Sequence, residues 1–200
     1  MPSDSTPPVI DRNVLQALIF DAFTSKLTWL EASRRYPVET YITAFRNTRM
    51  AFHRLLADMT DAQVSYISPE HSLWSVSETI THLIYSQNSY YNFLLEITDS
   101  ILPHIMEAAR GFGEGAQRDI PAQTLRQALD AATLSINQGI DATLPNVDPA
   151  KTRRNVLFGE VSYATWVFLL MAHEFDHYRQ AHVMKRLARA AFPDRGGNTT

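Results

Sequence analysis

Apolar residues recur every three to four positions along most of this chain, a pattern that buries one stripe per helix and leaves nothing for a sheet to pair with. Between Asp11 and Ser33 the stripe runs through Val14, Leu15, Leu18, Ile19, Ala22, Phe23, Leu27 and Leu30, which predicts an amphipathic helix. Pro37 separates it from a second helix, Val38 to Met59, carried by Ile42, Phe45, Met50, Phe52, Leu55 and Leu56 and ended by a turn at Thr60-Asp61. A third opens in the run from Leu73 to Leu83 and continues to about Thr98, with Val76, Ile80, Leu83, Ile84, Tyr91, Leu94 and Leu95 on one side. Pro121 suits the first turn of a fourth, with Asp119 near its cap, and Pro145 stops it after Leu125, Leu129, Ala132, Ile136 and Ile140. Ser162 is the expected N-cap of the last, which runs to about Ala191. Strand-like alternation is absent in sheet-forming numbers. The predicted fold class is all-α: an up-and-down four-helix bundle with an additional N-terminal helix.

These boundaries divide the chain into a proline-rich tail over 1–10, a helical extension over 11–36, the bundle over 37–191 and a polar tail over 192–200. Residues 101–119 contain Pro103 and the run Gly111 to Gly115, which predicts a mobile connection covering a site. It is no phosphate loop, because no lysine and hydroxyl residue follow and no strand precedes it. His104 within it is incidental, and residues 146–160 form a second loop.

With 200 residues the chain buries a sufficient core without disulfides or a structural metal, so a metal here would be functional. It has no cysteine, which excludes thiolate ligands and fits a reducing, cytoplasmic compartment. The net charge of -3 and the short cluster Lys151, Arg153, Arg154 do not suit nucleic acid. No apolar run approaches the roughly 20 residues of a membrane span.

Chemistry concentrates in the last helix. His173 and His177 are four residues apart, about 400° around a helix, so their imidazoles leave one face a turn apart. Trp166, Leu170, Ala181 and Met184 share that face within about 60°, which turns both histidines into the bundle. Two buried imidazoles need either good hydrogen-bond partners or an ion, because an unpartnered buried polar group costs about 1–3 kcal/mol. The stretch from His173 to His177 also reads H-E-x-x-H, the zinc-protease signature in which Glu174 would be the general base. That class needs a third ligand downstream, yet Gln180 replaces the glycine, Val183 replaces the histidine and no glutamate follows Glu174. Glu174 lies about 100° off the ligand face, which favours a solvated or salt-bridged side chain. Earlier in the chain, His82 lies about 140° from the middle of its helix's stripe, beside Ser75, Glu78, Ser86, Ser89 and Phe93. Periodicity alone favours a solvent-facing His82. The alternative is a row of small polar side chains lining a cavity, with Glu78 orienting the ring from one turn away.

Trp74-Ser75 with Glu78 and His82-Leu83, followed some ninety residues on by His173, His177 and Gln180, resemble the paired motifs of the DinB/YfiT-like metal-binding four-helix bundle superfamily. The resemblance covers roughly residues 38 to 190. It implies a three-histidine site of His82, His173 and His177 holding a divalent ion (Zn, Ni, Fe or Mn) with positions open to water or substrate. Arg179 and Asp176 depart from the common pattern, which leaves the substrate open. Relatives include thiol S-transferases and isomerases using low-molecular-weight thiols such as bacillithiol or mycothiol, and the family commonly forms homodimers. The leading expectation is a metal-dependent enzyme acting on a small-molecule substrate, with Glu174 or Glu78 as candidate proton acceptors. Its competitor is a non-catalytic bundle, a stress or interaction protein whose histidines pack against polar partners.

Overall fold

The computed structural model describes residues 10–98 and 115–193, with side chains described as far as Gln87 and again from Gly115. The tail before Ile10, the heart of the predicted covering connection (Pro103, His104 and Gly111 to Glu114) and the residues from Asp194 lie outside the described residues.

Most helices start where a side chain takes up their free amides. In α1 (Arg12–Phe23), Asp11 accepts from the amides of Asn13 and Val14. The single helix expected from Asp11 to Ser33 is broken: Ser25 adopts φ 59°, and Thr28 opens α2 (Trp29–Ser33) through a capping box with Glu31. Periodicity missed the break because the apolar spacing continues through it, whereas the T-x-x-E signature marks it. Pro37 precedes α3 (Val38–Leu56). The expected turn at Thr60-Asp61 is the start of a short α4 (Asp61–Val64), boxed by Thr60 and Gln63. Helix α5 (Val76–Thr98) begins after Ser75, whose Oγ accepts from the Glu78 amide at 3.1 Å while Glu78 Oε2 accepts from the Ser75 amide at 2.8 Å. The cap of α6 (Ala122–Thr143) comes from Asp61 instead of Asp119: Asp61 Oδ1 accepts from the Ala122 amide at 2.7 Å. A 3-10 turn, Leu144–Asn146, closes it.

The second loop holds an antiparallel hairpin, β1 (Thr152–Asn155) and β2 (Gly159–Ser162), with Thr152 opposite Ser162 and Asn155 opposite Gly159. Four-residue strands of this polar composition show no apolar alternation, so periodicity predicts no strand there. Gly159 occupies φ 73°, where a side chain is disfavoured. Ser162 then caps α7 (Tyr163–Ala191), with bounds as expected. Phe192 is not a free tail residue: its carbonyl accepts from Gln63 Nε2 at 2.8 Å and its ring packs on Tyr66.

The fold is all-α with one small hairpin. Around the bundle the long helices follow the order α3, α7, α5, α6, so the last helix of the chain lies between the first two of the four. Its first half, Tyr163 to Ala172, is buried almost all round by α2, α3, α5 and β2. Two apolar cores result. One joins α1, α2, the start of α3, the end of α6 and the start of α7 around Tyr41, Phe45, Trp166 and Phe168. The other joins the end of α3, the starts of α5 and α6 and the end of α7 around Phe52, Ile80, Leu83 and Leu129. Among the described residues no helix is long and apolar enough to cross a membrane.

Candidate metal centre

His82 leaves α5 toward α7 and meets His173 and His177 there, the reading of its orientation that helical periodicity alone did not favour. One ring nitrogen from each of the three lies within 4.8 Å of the others. His82 Nε2 and His173 Nε2 face each other at 3.2 Å, and the ring centroids are 4.6 to 5.2 Å apart. All three are half-buried. Burial pushes His173 down to about 3, helped by the neighbouring His177, His82 and Arg49 charges. Burial, then His82, pushes His177 down to about 4, against the pull of Asp176. Burial also lowers His82. Three neutral imidazoles with available lone pairs therefore face one point at neutral pH.

Trp74, just before α5, covers this cluster from one side. Its ring stacks on His177 at 5.8 Å with 4° between planes and meets His82 edge-on at 4.8 Å. Glu78 is held at the start of α5: Oε2 accepts from the Ser75 amide, and Oε1 faces Arg118 at 3.4 Å. Its carboxylate serves the helix terminus, which corrects the expectation that it orients the His82 ring. Gln180, the last residue of the second motif, donates to Asp176 Oδ2 at 2.8 Å.

Glu174 is neither solvated nor on the ligand side. It is 1% exposed, and its Oε1 accepts from Arg49 Nη2 of α3. Burial pushes its carboxyl above the usual range while Arg49 pulls it down. A carboxylate sealed from water and clamped by a guanidinium cannot serve as the general base that the H-E-x-x-H pattern suggested. The salt-bridged alternative holds, with its partner in the core. Arg49 went unread in the sequence, although a signal was there: it takes the fourth-residue step between Phe45 and Phe52, inside the apolar stripe of α3. Arg49 Nη2 also donates to Gln87 Oε1 at 2.7 Å.

The other described histidines stand apart. His53 pairs with Asp130 at 3.0 Å and Thr133 at 3.1 Å. His71 contacts Ser68, and His182 lies beside Tyr178.

The donor set fits a divalent first-row ion. Metal–nitrogen distances of about 2.0–2.1 Å in a tetrahedral site require nitrogens about 3.3 Å apart, close to the His82–His173 separation. His177 Nδ1 is buried without a hydrogen-bond partner. The family model described as the DinB superfamily matches residues 44–181, more than half of the chain. No curated protein and no solved structure matches it.

Proposed function

The chain belongs to the DinB superfamily, and from that premise we propose that it is a metal-dependent enzyme acting on a small-molecule substrate, with His82, His173 and His177 as the ligands. The observation that carries this reading is the convergence of three neutral imidazoles from two helices on one point. Three neutral ligands suit Zn2+, Ni2+, Fe2+ or Mn2+. When bound, the ion would supply a Lewis acid able to stabilise the deprotonated form of a water or thiol. The protein's own residues set the conditions: burial keeps the imidazoles unprotonated, and Trp74 shields them on one side. Glu174 is engaged by Arg49, and Glu78 by the Ser75 amide and Arg118, so we assign proton removal to no glutamate of the site. A low-molecular-weight thiol heads the substrate classes to test.

The direct test removes any polyhistidine tag, strips the protein and reconstitutes it with each metal in turn. Near-stoichiometric binding is expected, lost in His82→Ala and in His177→Ala. A protein that takes up no metal, or binds it equally well without these histidines, would reject the reading. It would favour the non-catalytic bundle, in which His82 and His173 satisfy each other across their 3.2 Å contact. Where metal binds, thiol-transfer and hydrolytic assays with panels of small thiols and electrophiles follow. Activity that survives loss of all three histidines would place the chemistry elsewhere.

A further inference from the structure

One polar node ties together all four long helices beneath the imidazoles. Arg49 of α3 donates through Nη2 both to Glu174 of α7 and to Gln87 of α5, and Gln87 Nε2 approaches the Ala132 carbonyl of α6 at 3.5 Å. Arg49 and Gln87 are 0% exposed and Glu174 is 1% exposed. We propose that Arg49 is a positioning residue: by holding Glu174 and Gln87 at once it sets the spacing of α7 and α5, and with it the His173–His82 separation. The inference rests on the metal-binding reading above.

Placement in the sequence supports it. Glu174 directly follows His173, and Gln87 lies five residues after His82, about 7.5 Å along the same helix. A force on either side chain therefore reaches a ligand through one rigid element. All three side chains are sealed from solvent, so no bulk water competes with the contacts. Stability does not account for the node. Arg49 Nε, Arg49 Nη1 and Glu174 Oε2 are buried without hydrogen-bond partners, and an incompletely satisfied buried ion pair commonly stabilises less than apolar side chains of similar volume. What the guanidinium supplies instead is a planar, directional link that no aliphatic side chain reproduces.

The test uses tag-free full-length protein and Co2+ as the probe, followed by its visible d–d absorption. In Arg49→Met/Glu174→Leu both charges go together, so no lone buried charge remains. This variant should keep the helical circular dichroism and thermal midpoint of the metal-free protein. It should bind Co2+ about 10- to 100-fold more weakly, as loss of groups that orient metal ligands does, and show an altered d–d band. Arg49→Lys keeps the charge but loses the planar guanidinium and its reach, and should fall between. A folded double variant with wild-type Co2+ affinity and band shape overturns the proposal. Should the double variant not fold, Arg49→Lys decides, and wild-type affinity and spectrum in that protein overturn it equally. Failure of the wild-type protein to bind Co2+ would instead reject the metal reading itself.

Discussion

The two ends of the bundle are built alike, and the layer between them is not. At one end Tyr41, Phe45, Trp166 and Phe168 pack into an apolar cluster, and at the other Phe52, Ile80, Leu83 and Leu129 do the same. Flanked by members of these clusters, α3 presents Arg49, α5 presents His82 and Gln87, and α7 presents His173, Glu174 and His177. Apolar packing is non-directional and forgiving, so it can hold the ends together without fixing any one atom. Polar groups in the middle are directional and costly when unmatched, so they need rigid ends to hold them in register. The ends carry the apolar packing and the middle carries the polar groups.

The largest effect expected from breaking this division is at the ends. Phe52→Ala and Phe168→Ala should each destabilise the metal-free protein by about 3–5 kcal/mol in urea unfolding. Because the two rings belong to separate clusters, the double variant should sum the single losses within about 0.5 kcal/mol. A larger coupling would mean that the cores are one.

The middle should show the converse behaviour. Zn2+ in free excess at 100 times its dissociation constant should stabilise the wild-type protein by about 2.7 kcal/mol. The same addition should leave His177→Ala unmoved, while the metal-free stability of that variant changes little. A Zn2+ shift that persists in His177→Ala would remove this residue from the ligand set.

Acid should act on the middle too. Burial pushes His173 down to about 3 and His177 down to about 4, from an ordinary value of 6.5. Below pH 6.5 the unfolded chain binds protons that the fold refuses, so metal-free stability falls as pH drops. The two histidines together should cost about 2 kcal/mol between pH 6.5 and pH 5.5. In His173→Gln/His177→Gln that slope should flatten, as read from urea midpoints across the range.

How far the sequence reaches follows the same division. The ends were legible because apolar spacing is their cause: the bounds of α7, its Ser162 cap, the α6 stripe, Val76, Ile80, Leu83 and Ile84 of α5, and the α3 stripe follow from pattern, except that Met50 of that last stripe is exposed. His173 and His177 were legible as a pair, since four residues on a helix suffice to place them. His82 was legible only through the motif resemblance, because a helical wheel is centred on its own apolar stripe and carries no record of α7 arriving on another side. For Glu174 the pattern left solvent and a salt bridge both open, for a related reason. About 100° off the ligand face normally means water, but the first half of α7 is enclosed almost all round, and that direction leads to Arg49. The hairpin stayed hidden because strands this short and polar pair by backbone geometry with little side-chain pattern.

The smallest effect distinguishes the two ends from each other. Ser75 and Ser162 both cap long helices through a hydroxyl that accepts from the amide three residues on, at 3.1 and 3.2 Å. Replacing either by alanine should cost about 1 kcal/mol. Their distance from the ligands differs: Ser75 stands two turns before His82 and next to Trp74, whereas Ser162 stands three turns before His173, in a segment enclosed by the first core. Fraying after Ser75→Ala therefore reaches both His82 and the ring that covers it, while fraying after Ser162→Ala is stopped by Trp166 and Phe168. Zn2+ affinity should weaken several-fold in Ser75→Ala and stay at the wild-type value in Ser162→Ala, measured by competition with a chromophoric chelator. Equal losses in the two variants would show that the layer depends on both ends alike. Equal retention would show that the polar node, and not the caps, holds the first turns of α5 in place.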